Sequence, residues 1–260
     1  MTVSMYSHAA ALLLLVVSST GTVAAPRDVQ MSRVDFNSGI VTLHNFGSED
    51  QALDGFRFCT QDDNEVFRYS AAAGLNGVTI ETDTDLRIHY NNDSFGGSDD
   101  LNIADVGGFF AGPLDQDAYA LSLYFPPVMF GNGNTMADHM QWNINGEDNT
   151  FADERSDEAV AGGLWIDDSQ WIATRSDARG IILTDNTGGI LHSPDNYIVI
   201  VPGDSDLDGD VDQADLGLLL SAFGSSLGDG NYNPEADADM DGDIDQADLG
   251  ILLSNFGFGT

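Results

Sequence analysis

The sequence predicts a mainly β protein, with an N-terminal β-sandwich over residues 26–201 and a small α-helical module over 203–260. Three observations carry this. Apolar and polar residues alternate in short stretches such as GIVTLHNF from Gly39, GFRFC from Gly55 and DAYALSLYF from Asp117, the pattern of a strand with one buried face. Turn-forming clusters punctuate these stretches at Asn37-Ser38-Gly39, Asn76-Gly77, Gly131-Asn132-Gly133 and Asn145-Gly146. Long helical periodicity is absent before residue 213.

Taken in order, the expected strands are Gln30–Phe36, Gly39–Phe46, Gly55–Thr60, Glu65–Tyr69, Leu86–Tyr90, Asp117–Phe125, His139–Ile144, Gly180–Thr184 and Asn196–Val201. Asn91–Gly112 and the acid-rich Asn145–Asp157 read as long loops. Many short strands with dense turns suit a sandwich or a barrel. Pro202-Gly203 marks the boundary to the second domain. Residues 1–25 read as a secretory signal: the apolar run Ala9–Val17 is too short to span a bilayer, and small residues follow it up to Pro26. No later segment is long and apolar enough to be transmembrane. The chain is therefore expected to be secreted or held at the cell surface.

The formal net charge of this 260-residue chain is −35, and all eight basic residues are Arg. A nucleic-acid binder needs a basic face for phosphates, so that class is excluded, and an anionic membrane surface would repel the chain. Cys59 is the single cysteine, so no intrachain disulfide forms; its alternating apolar surroundings predict a buried, inert thiol. A secreted protein without disulfides must be held by its core or by metal.

The strongest signal is an internal repeat. Residues 203–224 read GDSDLDGDVDQADLGLLLSAFG and residues 236–257 read ADADMDGDIDQADLGILLSNFG, offset by 33 residues with 16 of 22 positions identical. As a twelve-position loop, the first copy places Asp204, Asp206, Asp208, Asp212 and Asp215 at positions 1, 3, 5, 9 and 12, with Gly209 at the turn. The second places Asp237, Asp239, Asp241, Asp245 and Asp248 there, with Gly242 at the turn. Position 7, Asp210 and Asp243, supplies a backbone carbonyl. Such loops offer only oxygen ligands, which suits calcium and not zinc; two ions per chain are expected. Asp closes both loops where the usual EF-hand pattern has Glu. Val211 and Ile244, at position 8, are expected to pair across the loops. A helix should begin at each last ligand, with Leu216, Leu219, Leu220 and Phe223 on one face and Leu249, Leu252, Leu253 and Phe256 repeating it. Gly224 and Gly257 stop the helices.

Two loop–helix units of this kind, with no helix leading into the first, resemble a type I dockerin over 203–260. The resemblance implies a non-catalytic module that docks, with calcium, onto a cohesin domain of a scaffold protein. It implies partner-reading residues at loop positions 10 and 11, here Gln213, Ala214, Gln246 and Ala247, where many dockerins carry Ser or Thr.

Residues 38–60 resemble the opening of a lamin-tail-like domain, an immunoglobulin-like sandwich, through Leu43, Asn45, Gly47, Leu53, Gly55 and Phe56; GVTIETDTDLRIHY suits its later strands, so the likeness covers about 38–90. That family implies a binding or structural module with no shared catalytic residues. The expected function is thus calcium-dependent docking of a non-catalytic β-sandwich. The alternative is a carbohydrate-active enzyme, a glycoside hydrolase or its accessory module, with polysaccharide as partner. Glycoside hydrolysis needs two flanking carboxylates, and paired acids occur at Asp153-Glu154, Asp157-Glu158 and Asp167-Asp168, among others; in so acidic a chain such pairs also arise by chance. His44, His89, His139 and His192 lie in separate strand or turn contexts without a nucleophile elbow. Trp142, Trp165 and Trp171 read as core residues, with a sugar-stacking platform as the alternative.

Overall fold

The computed structural model describes residues 25–62, 67–90, 99–102, 104, 114, 116–117, 119–146 and 155–259. Of the sequence expectations, the signal segment before Ala25, the pair Asp153-Glu154 and most of the loops 91–112 and 145–157 lie outside the described residues.

The described strands are β1 (Val29–Asp35), β2 (Ile40–Asn45), β3 (Gln51–Ala52), β4 (Arg57–Asp62), β5 (Phe67–Tyr69), β6 (Thr79–Ile80), β7 (Asp85–His89), β8 (Asp100–Asn102), β9 (Tyr119–Tyr124), β10 (Met136–Ile144), β11 (Ile172–Thr174), β12 (Gly180–Leu183) and β13 (Tyr197–Ile200). The helices are α1 (Ser156–Gly162), α2 (Gln213–Ala222) and α3 (Gln246–Asn255). One sheet runs β13-β12-β1-β2-β7-β8, a second runs β11-β10-β9-β4-β5, and β3 pairs with β6. The protein is mainly β, and its two large sheets share one apolar core. Val29, Met31, Val34, Val41, Leu43, Ile88 and Ile181 enter it from the first sheet; Phe58, Leu121, Leu123, Met140, Trp142 and Ile172 enter it from the second. A hydrogen bond joins the layers directly, from the Met31 amide to Asp138 Oδ2 at 2.6 Å.

Alternation predicts one buried face per strand. In β9 and in most of β10 both faces are buried. The reason is α1, which packs on β10 and covers polar groups that bond to one another. Ser122 Oγ and His139 Nδ1 lie 2.9 Å apart, His139 Nε2 and Gln141 Oε1 2.8 Å apart, and the Ser156 hydroxyl also donates to Gln141 Oε1. Burial pushes the His139 imidazole down to about 4, so it is neutral at neutral pH. A polar layer satisfied in this way can be buried without a large penalty.

Asn45 explains the Asn-x-Gly pattern. Its side-chain amide donates to the carbonyls of Glu49 (2.9 Å) and Ile80 (3.0 Å), and its Oδ1 accepts the Gly47 amide at 3.0 Å. A Cβ on Gly47 would stand 2.6 Å from Asp28 Oδ2 and 3.0 Å from Asn45 Oδ1, so a larger residue would have to displace these side chains. Cys59 is buried, and burial pushes its thiol up. Trp142, Trp165 and Trp171 are all buried in the two-sheet body. No helix among the described residues is long and apolar enough to cross a membrane.

The C-terminal segment has its own small cluster: Val201, Val211, Leu219, Ala222, Ala236, Ile244 and Leu252. Val211 and Ile244 are both fully buried in it. Their backbones bond crosswise: Gly257 donates to the Val211 carbonyl and Val211 to Phe258, while Gly224 donates to Ile244 and Ile244 to Ser225. Each loop is thus tied to the segment after the other helix. The expected helix faces are narrower than the spacing predicts. Leu219 and Leu252 are buried, but Leu220 and Leu253 are 54% and 55% exposed, and Phe223 and Phe256 are 42% and 46% exposed. Two short helices touch along one stripe, and Ala222 lets them approach; no third layer covers the rest. Burying each leucine contributes about 2 kcal/mol, so a core of this size is marginal by itself.

Replacing Asn45 by Ala strands the Gly47 amide and two carbonyls. The body is expected to lose about 2–3 kcal/mol, read as a lower urea midpoint with an unchanged slope.

Candidate metal centre

Each Asp-rich loop runs into a helix whose start is fixed by two of its own carboxylates. The Asp212 side chain accepts the Ala214 amide at 2.6 Å, and Asp215 Oδ2 accepts the Asp212 amide at 2.7 Å. Asp245 and Asp248 repeat this at 2.6 and 2.7 Å. These are reciprocal capping boxes, and they begin α2 and α3 at Gln213 and Gln246. The helices therefore start two residues before the last acidic position, where the sequence expectation had placed them, because the position-9 Asp is the N-cap. Gly209 and Gly242 sit at φ +94° and +95°, a backbone region that favours glycine.

The loops fold so that positions 1, 3 and 12 converge. One oxygen from each of Asp204, Asp206 and Asp215 lies within 4.8 Å of the others, and Asp237, Asp239 and Asp248 do the same. In the first loop Asp210, Asp212 and Asp215 form an overlapping group. Among the described residues, acidic groups converge this closely only in the C-terminal segment. Asp208 and Asp241 face their own loops instead, each accepting an amide two residues on, from Asp210 and Asp243, at 3.1 Å. Of the other expected ligands, Asp243 stands outside the converging groups and Asp245 caps its helix.

Burial separates these clusters from an ordinary acidic surface. Asp204, Asp215, Asp237 and Asp248 are 0–2% exposed. The position-12 carboxylates have local partners: Asp215 Oδ1 accepts the amides of Ser205 (2.6 Å) and Asp206 (3.2 Å), and Asp248 Oδ1 accepts those of Ala238 (2.7 Å) and Asp239 (3.2 Å). The position-1 carboxylates are only half satisfied. Oδ2 of Asp204 and of Asp237 accepts the amide of the turn glycine, whereas Oδ1 of each is buried with no hydrogen-bond partner. Such an oxygen, aimed among other carboxylates, fits a cation. Burial and then the Asp215 charge push the Asp204 carboxyl up to about 7. Burial and neighbouring carboxylates also raise Asp206 and Asp239, and the Asp241 charge leads the rise at Asp243. All donors are oxygens, so the chemistry on offer is that of a hard cation.

Sequence reading missed the groups around the second loop. The Tyr232 hydroxyl donates to Asp237 Oδ2. Arg179, just before β12, donates to the carbonyls of Glu235 (3.5 Å) and Asp237 (3.3 Å), and Arg33 pairs with Glu235 at 3.2 Å. The four positions expected to read a partner, Gln213, Ala214, Gln246 and Ala247, are exposed at the helix starts.

The candidate catalytic groups are scattered. His44 bonds Asp85 at 2.8 Å and His89 bonds Asp100 at 2.7 Å. His192 meets the Tyr197 hydroxyl at 3.1 Å, and His139 belongs to the buried chain under α1. Glu158 pairs with Arg155 at 3.2 Å, and Asp167 folds onto Ser169. No family model matches the chain, and no curated protein sequence matches it.

The raised Asp204 carboxyl has a pH consequence. In the metal-free chain the folded tail binds more protons than the unfolded tail between about pH 4 and 7, so its stability falls as pH rises through that window. Circular dichroism of metal-free protein should show firmer helical structure at about pH 5.5 than at pH 8, with a difference on the order of 2 kcal/mol. Saturating calcium is expected to remove the difference.

Proposed function

We propose that residues 203–260 are a calcium-dependent docking module, similar to a type I dockerin, that carries the two-sheet body to a protein partner. The observation that supports it most is the repeated, buried carboxylate pair at positions 1 and 12 with an unpartnered Oδ1 on Asp204 and on Asp237. A solvated acidic tail has no reason to bury those atoms twice at the same spacing. Calcium suits the loops because it accepts about 6–8 oxygen ligands in flexible geometry, whereas magnesium demands a near-ideal octahedron. Asp204, Asp206 and Asp215 would hold one ion and Asp237, Asp239 and Asp248 the other. Asp210 and Asp243, at position 7, would add a backbone carbonyl to each site, and Asp208, Asp212, Asp241 and Asp245 complete the set of expected ligands. The cation neutralises charges that the small core of this segment cannot hold together alone.

Docking is supported by what the helices leave outside. Leu220, Phe223, Leu253 and Phe256 form a duplicated apolar surface beside Gln213, Ala214, Gln246 and Ala247. Contiguous exposed apolar patches commonly mark a protein contact. A cohesin-like scaffold domain is the partner we propose, and secretion would place the loops where calcium is plentiful. The resemblance of residues 38–90 to a lamin-tail-like domain supports a binding or structural role for the body.

The test combines folding and capture. Chelator is expected to abolish most helical signal of the tail, and calcium to restore it. The full chain should retain a partner from its native secretome with calcium and release it with chelator. Changing Ala214 and Ala247 together to Arg should remove capture while calcium binding persists. Helicity unchanged in chelator would contradict the metal reading. Capture indifferent to calcium or to the double change would contradict the docking reading.

A further inference from the structure

The two loops are nearly identical in sequence but not in surroundings. In the second loop Asp237 is held at both ends. Its Oδ2 accepts from the Tyr232 hydroxyl and from the Gly242 amide at 3.0 Å. Its carbonyl accepts from the Arg179 guanidinium at 3.3 Å, and the same guanidinium reaches the Glu235 carbonyl at 3.5 Å. Arg33 of β1 adds an ion pair to the Glu235 carboxylate at 3.2 Å. Arg33 and Arg179 belong to the two-sheet body, so the entry to this loop is bonded to the body.

The first loop lacks these supports. The residue that matches Tyr232 across the 33-residue repeat is Val199, which has no hydroxyl. Asp204 Oδ2 accepts the Gly209 amide, at 3.3 Å. This loop meets the body through its turn, where a Cβ on Gly209 would stand 2.9 Å from Ile198, and through Phe258, which accepts the Val211 amide and lies under Arg175. The contact with Ile198 is apolar, although the Gly209 amide itself bonds Asp204 Oδ2.

We propose that the second loop, and not the first, is coupled to the body, with Arg179 and Tyr232 acting as positioning residues for Asp237. This rests on the calcium reading of the loops. An ion at the second loop fixes Asp237, and so presents the carbonyls of Glu235 and Asp237 to Arg179. Seating on Arg179 in turn pre-forms the second site. The two effects are one coupling free energy seen from either side. Groups that orient a ligand, without touching the ion, commonly set metal affinity by about tenfold or more. The body then gains stability from an ion that none of its own residues bind.

The chain carries its own reporter. Trp142, Trp165 and Trp171 are its three tryptophans, and all lie in the body. Tryptophan fluorescence during heating of the full chain therefore follows the body alone. Saturating calcium is expected to raise that midpoint in the native chain and in Asp204→Ala, but not in Asp237→Ala. In Arg179→Ala the rise should be lost, although calorimetry still finds two ions, one bound about tenfold more weakly. Tyr232→Phe should weaken the same ion by a similar factor. The calcium-induced rise is the readout, so any general loss of stability in a variant does not enter. A rise that survives in Asp237→Ala, or vanishes equally in Asp204→Ala, would overturn the coupling. So would equal affinities in Arg179→Ala and the native chain. A calorimetric titration that finds no bound ion would overturn the metal reading, and the coupling with it.

Discussion

Two buried carboxylate oxygens, Oδ1 of Asp204 and of Asp237, set the terms for the C-terminal segment of this molecule. A carboxylate without water or a donor is costly to bury, and here each faces further carboxylates. Around that cost the segment is organised. Asp215 and Asp248 receive amides from the loop and cap the helices, which fixes where α2 and α3 begin. The crosswise backbone bonds of Val211 and Ile244 then lock each loop to the chain leaving the opposite helix. Seven buried apolar residues cannot offset the repulsion of the loops by themselves. On the proposed calcium reading, a bound cation would convert the same carboxylates from a source of repulsion into the staple of the fold.

The few arginines show the same economy. With 43 acidic residues and no lysine, each guanidinium occupies a defined place. Arg27 donates to three backbone carbonyls, those of Met136, Gly162 and Gly133, at 2.9–3.1 Å, and so pins the start of the body to the segment around α1. Arg155 pairs with Glu158 and lies over the Phe67 ring. Arg33 and Arg179 face Glu235 and Asp237, and Arg175 covers Phe258. Three of the eight thus meet the acidic tail. A planar fork can serve carbonyls and rings together, which a lysine ammonium cannot.

Much of the body was legible because its strands alternate. Each of the nine expected strands has a counterpart, with boundaries displaced by a few residues. The elements that went unread are short. β3 and β6 have two residues each, and β8 and β11 have three; no period can be detected over such lengths. The short helix α1 begins at Ser156, inside the stretch 145–157 expected as a loop, and spans only seven residues, too few for a helical period. Double burial of β9 and β10 was not legible either, since it depends on α1 arriving from elsewhere in the chain. In the tail the 33-residue repeat made positions 1, 3 and 12 legible as the carboxylates that converge, but not that Asp208, Asp241, Asp243 and Asp245 would stand apart from them. The helix faces were not, because a spacing of i, i+3, i+4 and i+7 names the apolar stripe but not how much of it a partner helix covers. Arg179 and Tyr232 carry no local signal at all. One comes from 58 residues before Asp237, the other from the segment between α2 and α3, and only the fold brings them together.

The central claim is that both loops hold calcium through the carboxylates at positions 1, 3 and 12. Anomalous scattering from crystals of the full chain grown with calcium tests it most directly. The account predicts two peaks per chain, one among Asp204, Asp206 and Asp215 and one among Asp237, Asp239 and Asp248. The absence of both peaks, or peaks placed on other residues, would contradict it.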